Sequence, residues 1–225
     1  MVSASDANSP DYESSLESLC RAYWYPLYAY VRRQGRSPHD AQDLTQEFFA
    51  CLLRKNYLQS VDREKGKFRT FLIMAFQRFL ANEWDRHRAQ KRGGGQPILS
   101  LNTEEAERKY LNEPSASQTP DQVFDRRWAL TILDRTMASL RAGFTGAGKT
   151  SEFEQLKLFL TAADAAPSCV ELAQKLGISE GAARVAVHRI RKRFRETFRA
   201  EISQVVTTEE AIDEEIRYLR SVLST

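Results

Sequence analysis

The residues Gly143 to Thr150 read GFTGAGKT and satisfy the phosphate-loop pattern GxxxxGK[ST] at Gly143, Gly148, Lys149 and Thr150. In such a loop backbone N–H groups cradle phosphates, the lysine reaches the β/γ-phosphates and the hydroxyl ligates Mg²⁺. That chemistry needs a strand entering the loop and a helix leaving it. What enters is WALTILDRTMASLRA, Trp128 to Ala142, which is charged and amphipathic. No later strand ending in Asp is available to hold the metal. What leaves looks helical, since Ser151 and Glu154 have capping-box spacing ahead of Phe153, Leu156 and Phe159. The stretch is therefore expected to be a glycine-rich connector between helices, with a nucleotide-hydrolysing switch as the competing reading. Metal and thiol chemistry find no support: Cys20, Cys51 and Cys169 are far apart and never in CxxC spacing, which suits small apolar fillers. His188 has no second His or Cys near it in sequence and is read as a polar contact. No metal or other cofactor is expected.

A second stretch carries a mechanism. In PSCVELAQKLGISEGAARVAVHRIRKRFRETFR, Pro167 to Arg199, Ser168 and Glu171 form a capping box, and Leu172, Ala173 and Leu176 line one face of a short helix. Gly177 supplies a left-handed turn and Ser179 caps a second helix, which buries Ala183, Val187, Ile190 and Phe194. This is the order of a helix-turn-helix. Its outward face is Arg184, His188, Arg191 and Arg195, suited to guanine edges or phosphates in a major groove. A plain helical hairpin with a solvated basic side is the alternative.

The elements that must hold these residues are helical. Period 3.6 runs through nearly every segment and no segment reads as a strand. Leu16 to Gly35 is a helix that Pro26 should kink. Ser37 caps the next, through Lys55, and Phe68 to about Arg88 is a long one. Thr119 to Gln122 forms a capping box that opens a helix ending near Arg141. The glycines at 93–95 and the Ser- and Pro-containing stretch Ser115 to Pro120 bracket a weak segment that reads as a linker. The net charge of +3 hides its distribution. Arg78 to Arg92 and Arg184 to Arg199 are basic, as two contacts with a polyanion require, whereas Thr207 to Glu215 is acidic. The N-terminal residues lack the basic start and apolar run of a signal peptide, and no apolar run reaches the about 18 residues of a membrane span. A cytoplasmic protein without membrane contact is expected.

DAQDLTQEFFACLL, Asp40 to Leu53, resembles region 2.2 of sigma-70-type RNA polymerase sigma factors, and FRTFLIMAFQRFLANEWDRHRA, Phe68 to Ala89, resembles regions 2.3 and 2.4. The helix-turn-helix resembles region 4. With no other sigma regions, the chain is similar to the extracytoplasmic-function group. The resemblance implies that Asp40, Asp43, Gln46 and Glu47 grip a basic coiled coil of core RNA polymerase, on the face opposite Leu44, Phe48, Cys51 and Leu52. It further implies that region 2 captures the minus-10 element of promoter DNA as a single strand, for which Tyr57, Arg78, Asn82, Trp84, Arg86 and Arg88 offer stacking surfaces and charge. Trp84 as a core residue is the competing reading. Region 4, with Ser179, Arg184, His188, Arg191 and Arg195, would read the minus-35 duplex.

The expected architecture is all-α, with two small helical domains joined by a flexible linker. Residues 1–14 are expected as a disordered tail, 15–92 as the region 2-like domain, 93–119 as the linker and 120–206 as the region 4-like domain. Residues 207–225 form an acidic extension whose stripe of Ile212, Ile216, Leu219 and Val222 is expected to fold as a helix on some partner surface, either screening the recognition helix or completing the region 4-like core. The expected function is that of a sigma factor and not an enzyme. Its partners would be core polymerase, promoter DNA and an anti-sigma or other regulatory protein. A helix-turn-helix regulator acting without polymerase is the alternative.

Overall fold

The computed structural model describes residues 12–54, 68–89, 103–111, 118–161, 166–204, 206 and 208–224, with the backbone alone at 12–19, 53–54, 84–89 and 103. All described elements are α-helices: α1 Tyr12–Arg33, α2 Pro38–Arg54, α3 Phe68–Ala89, α4 Thr103–Leu111, α5 Pro120–Gly146, α6 Thr150–Leu156, α7 Leu158–Thr161, α8 Cys169–Leu176, α9 Glu180–Ser203 and α10 Glu209–Leu223. None is long and apolar enough to cross a membrane.

The helix boundaries follow local chemistry. α1 ends where Gly35 takes the left-handed conformation (φ 86°), and α2 begins where the Ser37 hydroxyl accepts the Asp40 N–H at 3.1 Å. The α5 capping box is reciprocal: Gln122 N–H donates to the Thr119 hydroxyl at 3.2 Å, and Thr119 N–H to the Gln122 side chain at 2.8 Å. α1 opens at Tyr12, inside the stretch expected to be a disordered tail, and continues through the buried Pro26. Residues 1–11 lie outside the described ones.

The chain packs into two compact units, one made of residues 1–131 with 204–225 and the other of 132–203. This partition differs from the boundaries read from the sequence in three places. Within the stretch read as a linker, Thr103–Leu111 is the helix α4, tied to α1. There Glu107 accepts the Tyr28 hydroxyl at 2.5 Å and the Arg32 guanidinium at 2.9 and 2.7 Å, while Ala106 is buried. The beginning of α5 belongs to the first unit, because Phe124 and Trp128 are fully buried there and Trp128 stacks on Tyr23 at 4.1 Å. The acidic extension is the third difference. α10 completes the first unit rather than a region 4-like core: Ile212 and Leu219 are buried, and Glu215 accepts Arg69 Nε at 3.1 Å.

The core of the first unit is aromatic. Phe48 meets Phe76 edge-on at 4.8 Å, and Tyr30 packs edge-on against the same ring at 6.0 Å. At its periphery Arg69, in the first turn of α3, joins α5 and α10 by pairing with both Asp125 and Glu215 and lying over the Tyr218 ring at 4.3 Å. The Tyr218 hydroxyl donates to Asp125. Burial pushes the Asp125 carboxyl above its usual range against the pull of these two donors, and burial with the Asp125 hydrogen bond pushes Tyr218 up to about 12.

The second unit has a continuous apolar core of Leu140, Phe144, Phe153, Leu156, Leu172, Ala173, Ala183, Val187 and Ile190. Met137, Leu176 and Phe194 pack against it. Arg135 donates to Glu201 at 2.9 Å within the same unit.

Candidate nucleic-acid and polymerase interfaces

α2 divides by helical spacing. Ala41, Thr45, Phe48, Phe49 and Leu52 are buried, and the Thr45 hydroxyl satisfies itself on the Ala41 carbonyl at 2.7 Å. Leu44 and Cys51, expected inside, are only half-buried; Thr45 and Phe49 take that place. Asp40, Asp43 and Glu47 are exposed and Gln46 half-exposed, so the four polar residues do share the outer face. His39 adds itself to that face, with Nδ1 3.1 Å from the Asp43 carboxylate. This neighbour is legible in the sequence, since i,i+4 spacing on a helix places His39 beside Asp43.

On α3, Leu72 and Phe76 anchor the helix, and Arg78 and Asn82 project from its exposed side at i,i+4 spacing. Trp84, Arg86 and Arg88 continue α3, but their side chains lie outside the described residues, as does all of Tyr57. The structure therefore brings together two of the six residues assigned to single-strand capture.

The helices α8 and α9 and the turn between them are built as their sequence dictates. Ser168 and Glu171 cap α8 reciprocally, at 3.2 Å from Glu171 N–H to the Ser168 hydroxyl and 3.1 Å from Ser168 N–H to the Glu171 carboxylate. Gly177 closes α8 at φ 66°, which a β-carbon would strain. The Ser179 hydroxyl accepts the Ala182 N–H at 3.2 Å and starts α9. Burial of Leu172, Ala173, Ala183, Val187 and Ile190 locks the two helices, leaving Arg184, His188, Arg191 and Arg195 exposed on one flank of α9. Two of these already have contacts. Arg184 reaches back to Glu180 at 2.6 Å, which holds its guanidinium above the usual range, and Arg191 Nε donates to the Phe159 carbonyl at 3.4 Å. Ser179, at the helix start, is exposed beside them.

The phosphate-loop pattern is a turn between α5 and α6. α5 runs to Gly146, past the expected end near Arg141. The amides that would cradle a phosphate are spent on its last carbonyls: Ala147 N–H donates to Phe144 at 3.2 Å, Gly148 N–H to Thr145 at 3.0 Å and Lys149 N–H to Phe144 at 2.9 Å. Gly148 is there because the turn needs its φ of 71°. The Thr150 hydroxyl, which a phosphate loop would place on Mg²⁺, lies 3.2 Å from Thr145 Oγ1. α6 begins at Thr150 without a side-chain cap, so the expected Ser151–Glu154 capping box does not form. Glu154 instead pairs with Arg141 at 2.9 Å and with Lys157. Among the described residues no cluster of His, Cys, Asp and Glu could hold a metal ion.

Beyond the expected flank, α9 exposes Val185, Arg189, Lys192 and Arg193. The sequence reading gave the helix a single basic face. A wheel at about 100° per residue shows that cations sit on both flanks, and this signal was available in the sequence.

A family model described as Sigma-70 region 2 matches residues 19–90, which takes in α2, α3 and most of α1. No curated protein and no solved structure matches the chain. The match supports a sigma-70-family factor with a role in promoter recognition.

Proposed function

We propose that this protein is an RNA polymerase sigma factor of the extracytoplasmic-function type, acting in the cytoplasm. It binds core polymerase through the outer face of α2, captures the melted minus-10 element along α3, and reads a minus-35 duplex with α9. It performs no chemistry of its own; the polymerase does. An anti-sigma or other regulatory protein completes its set of partners. The observation that carries this reading is the Sigma-70 region 2 match over residues 19–90 in a chain that also holds a capped helix-turn-helix with exposed arginines. The α2 face supports the polymerase contact, since Asp40, Asp43 and Glu47 are exposed together and an acidic face steers encounter with a basic helix pair.

Run-off transcription with purified core polymerase on a promoter library tests it. The protein is expected to start transcripts downstream of a shared pair of elements. Reversal of Asp43 and Glu47 to Lys should abolish these transcripts while the circular dichroism spectrum stays helical, because like charges would then face each other. Duplex binding without any transcript from core polymerase would instead identify a helix-turn-helix regulator that works alone.

A further inference from the structure

The surface of the second unit contains an open cavity of about 480 Å³ between the α5–α6 turn and α9. Its floor is apolar, from Phe144, Leu156 and Ile190, and its cations are Lys149 from the turn with Arg189 and Arg193 from α9. Arg193 lies over the Phe144 ring at 5.5 Å, so its charge is aimed along the wall rather than away from it. The acid in the lining, Glu152, sits 3.5 Å from Lys149, and the three cations leave the lining with an excess of positive charge.

The place of this cavity on α9 gives it meaning. With about 100° between successive residues, Gly181, Val185, His188 and Lys192 form the outermost ridge of α9, opposite its buried stripe. Arg184, Arg191 and Arg195 lie on one side of that ridge, and Ala182, Arg189 and Arg193 on the other. A helix is about 10–12 Å across and the major groove about 12 Å wide, so a helix seated there has a phosphate row of each strand on either hand. Cations on one flank alone would engage one strand.

We infer that Lys149 and Arg193 form a second phosphate-binding wall, which holds the strand opposite the one met by Arg191 and Arg195. The apparent phosphate loop thus contributes to phosphate binding through its lysine side chain and not through its amides, and the phosphate is that of DNA rather than of a nucleotide. The inference rests on the reading of α9 as the duplex-binding helix. Small residues at 181 and 182 keep the wall open, and the exposed Val185 on the ridge supplies an apolar contact of the kind a thymine methyl takes.

The test is fluorescence anisotropy of the full-length protein with the selected upstream duplex and with random duplex, from 50 to 200 mM salt. Lys149→Gln and Arg193→Gln should each weaken both duplexes by the same factor and flatten the slope of log K against log salt by about 0.9. Over that fourfold salt range, wild-type and variant affinities then converge by about 3.5-fold per residue removed. Lys149→Arg and Arg193→Lys should restore the slope. If Arg191→Gln flattens the slope and the Lys149 and Arg193 variants do not, the wall is overturned while duplex binding by α9 stands. A wild-type protein that binds no duplex removes both. Weaker capture of core polymerase with unchanged duplex binding would assign the cavity to a protein partner and overturn the inference as well.

Discussion

The two compact units are built from the same kind of element and held together in different ways. The second, residues 132–203, is continuous in sequence, and its core joins neighbours along the chain: α5 to α6, α6 to α8, α8 to α9. Its core is apolar, α8 and α9 open on nearby side-chain caps, and the Arg135–Glu201 pair, 66 positions apart, adds to that core rather than replacing it. The first unit gathers residues 1–131 and 204–225, and charged groups far apart in sequence close it. Arg32 pairs with Glu107 across 75 positions, and Arg69 with Glu215 across 146. Continuity makes a unit legible and locally robust. Distant charged closures place its integrity on a few partners, because a buried charge that loses its counter-charge is costly to keep.

That contrast explains what the sequence revealed. Ser168, Glu171, Gly177 and Ser179 announce their roles to residues three or four positions away, and all four act in the structure as their spacing implies. The stripe of Ala183, Val187 and Ile190 is equally local. The acidic face of α2 was legible for the same reason. α10 was not. Its apolar stripe showed that Ile212 and Leu219 would be buried, but no period names a partner, and Arg69 lies too far away for any window to connect it with Glu215. α4 escaped notice because TEEAERKYL has little apolar content, and its anchor is an ion pair with a helix far earlier in the chain. The GFTGAGKT pattern was legible as a connector because its amphipathic, charged approach is local too, whereas the use of its amides to close α5 shows only in the structure.

The largest effect should come from the Arg69 cluster. Arg69→Met leaves Asp125 and Glu215 buried together without their cation and is expected to destabilise the protein by about 3–5 kcal/mol. Amide hydrogen exchange should accelerate first in α3 and α10. Adding Asp125→Asn and Glu215→Gln to the same chain should recover much of the loss, since a neutral cluster no longer strands charge. Equal acceleration in α8 and α9 would abolish the contrast between the units.

Next is the closure of α4 on α1. Glu107→Gln should cost about 1.5–3 kcal/mol at neutral pH, the range for hydrogen bonds to charged groups, as read by denaturant melts. The Arg32 hydrogen bond holds the Glu107 carboxyl below its usual range, with the Tyr28 hydroxyl assisting. A depressed folded-state value means that the stabilisation is complete above the unfolded-state value of about 4.3 and is lost as pH falls through the folded one. Wild type and variant should therefore differ most at neutral pH and draw together as pH falls from about 4.3 through the depressed folded-state value. A gap that does not narrow at all as pH falls below about 4.3 would show that Glu107 acts through packing rather than charge.

The smallest effect offers the finest comparison, because each unit contains a helix opened by a reciprocal capping box, at Ser168 and at Thr119. Taken alone, each cap contributes about 1 kcal/mol, so Ser168→Ala and Thr119→Ala should look alike if local energetics were all that mattered. They sit in different surroundings. α8 spans only Cys169–Leu176, with Cys169 half-buried against the core, so losing the Ser168 hydroxyl should fray its first turn. The first turns of α5 are also held by Asp121, which accepts from Gln77 at 3.1 Å, and by Asp125, which pairs with Arg69. Those distant contacts should absorb most of the Thr119 loss. Protection of the α8 amides is accordingly expected to fall about fivefold in Ser168→Ala, against a smaller fall for the α5 amides in Thr119→Ala. Equal falls would mean that the long-range ion pairs do not reach the start of α5, and the division between locally and distantly held helices would not extend to their ends.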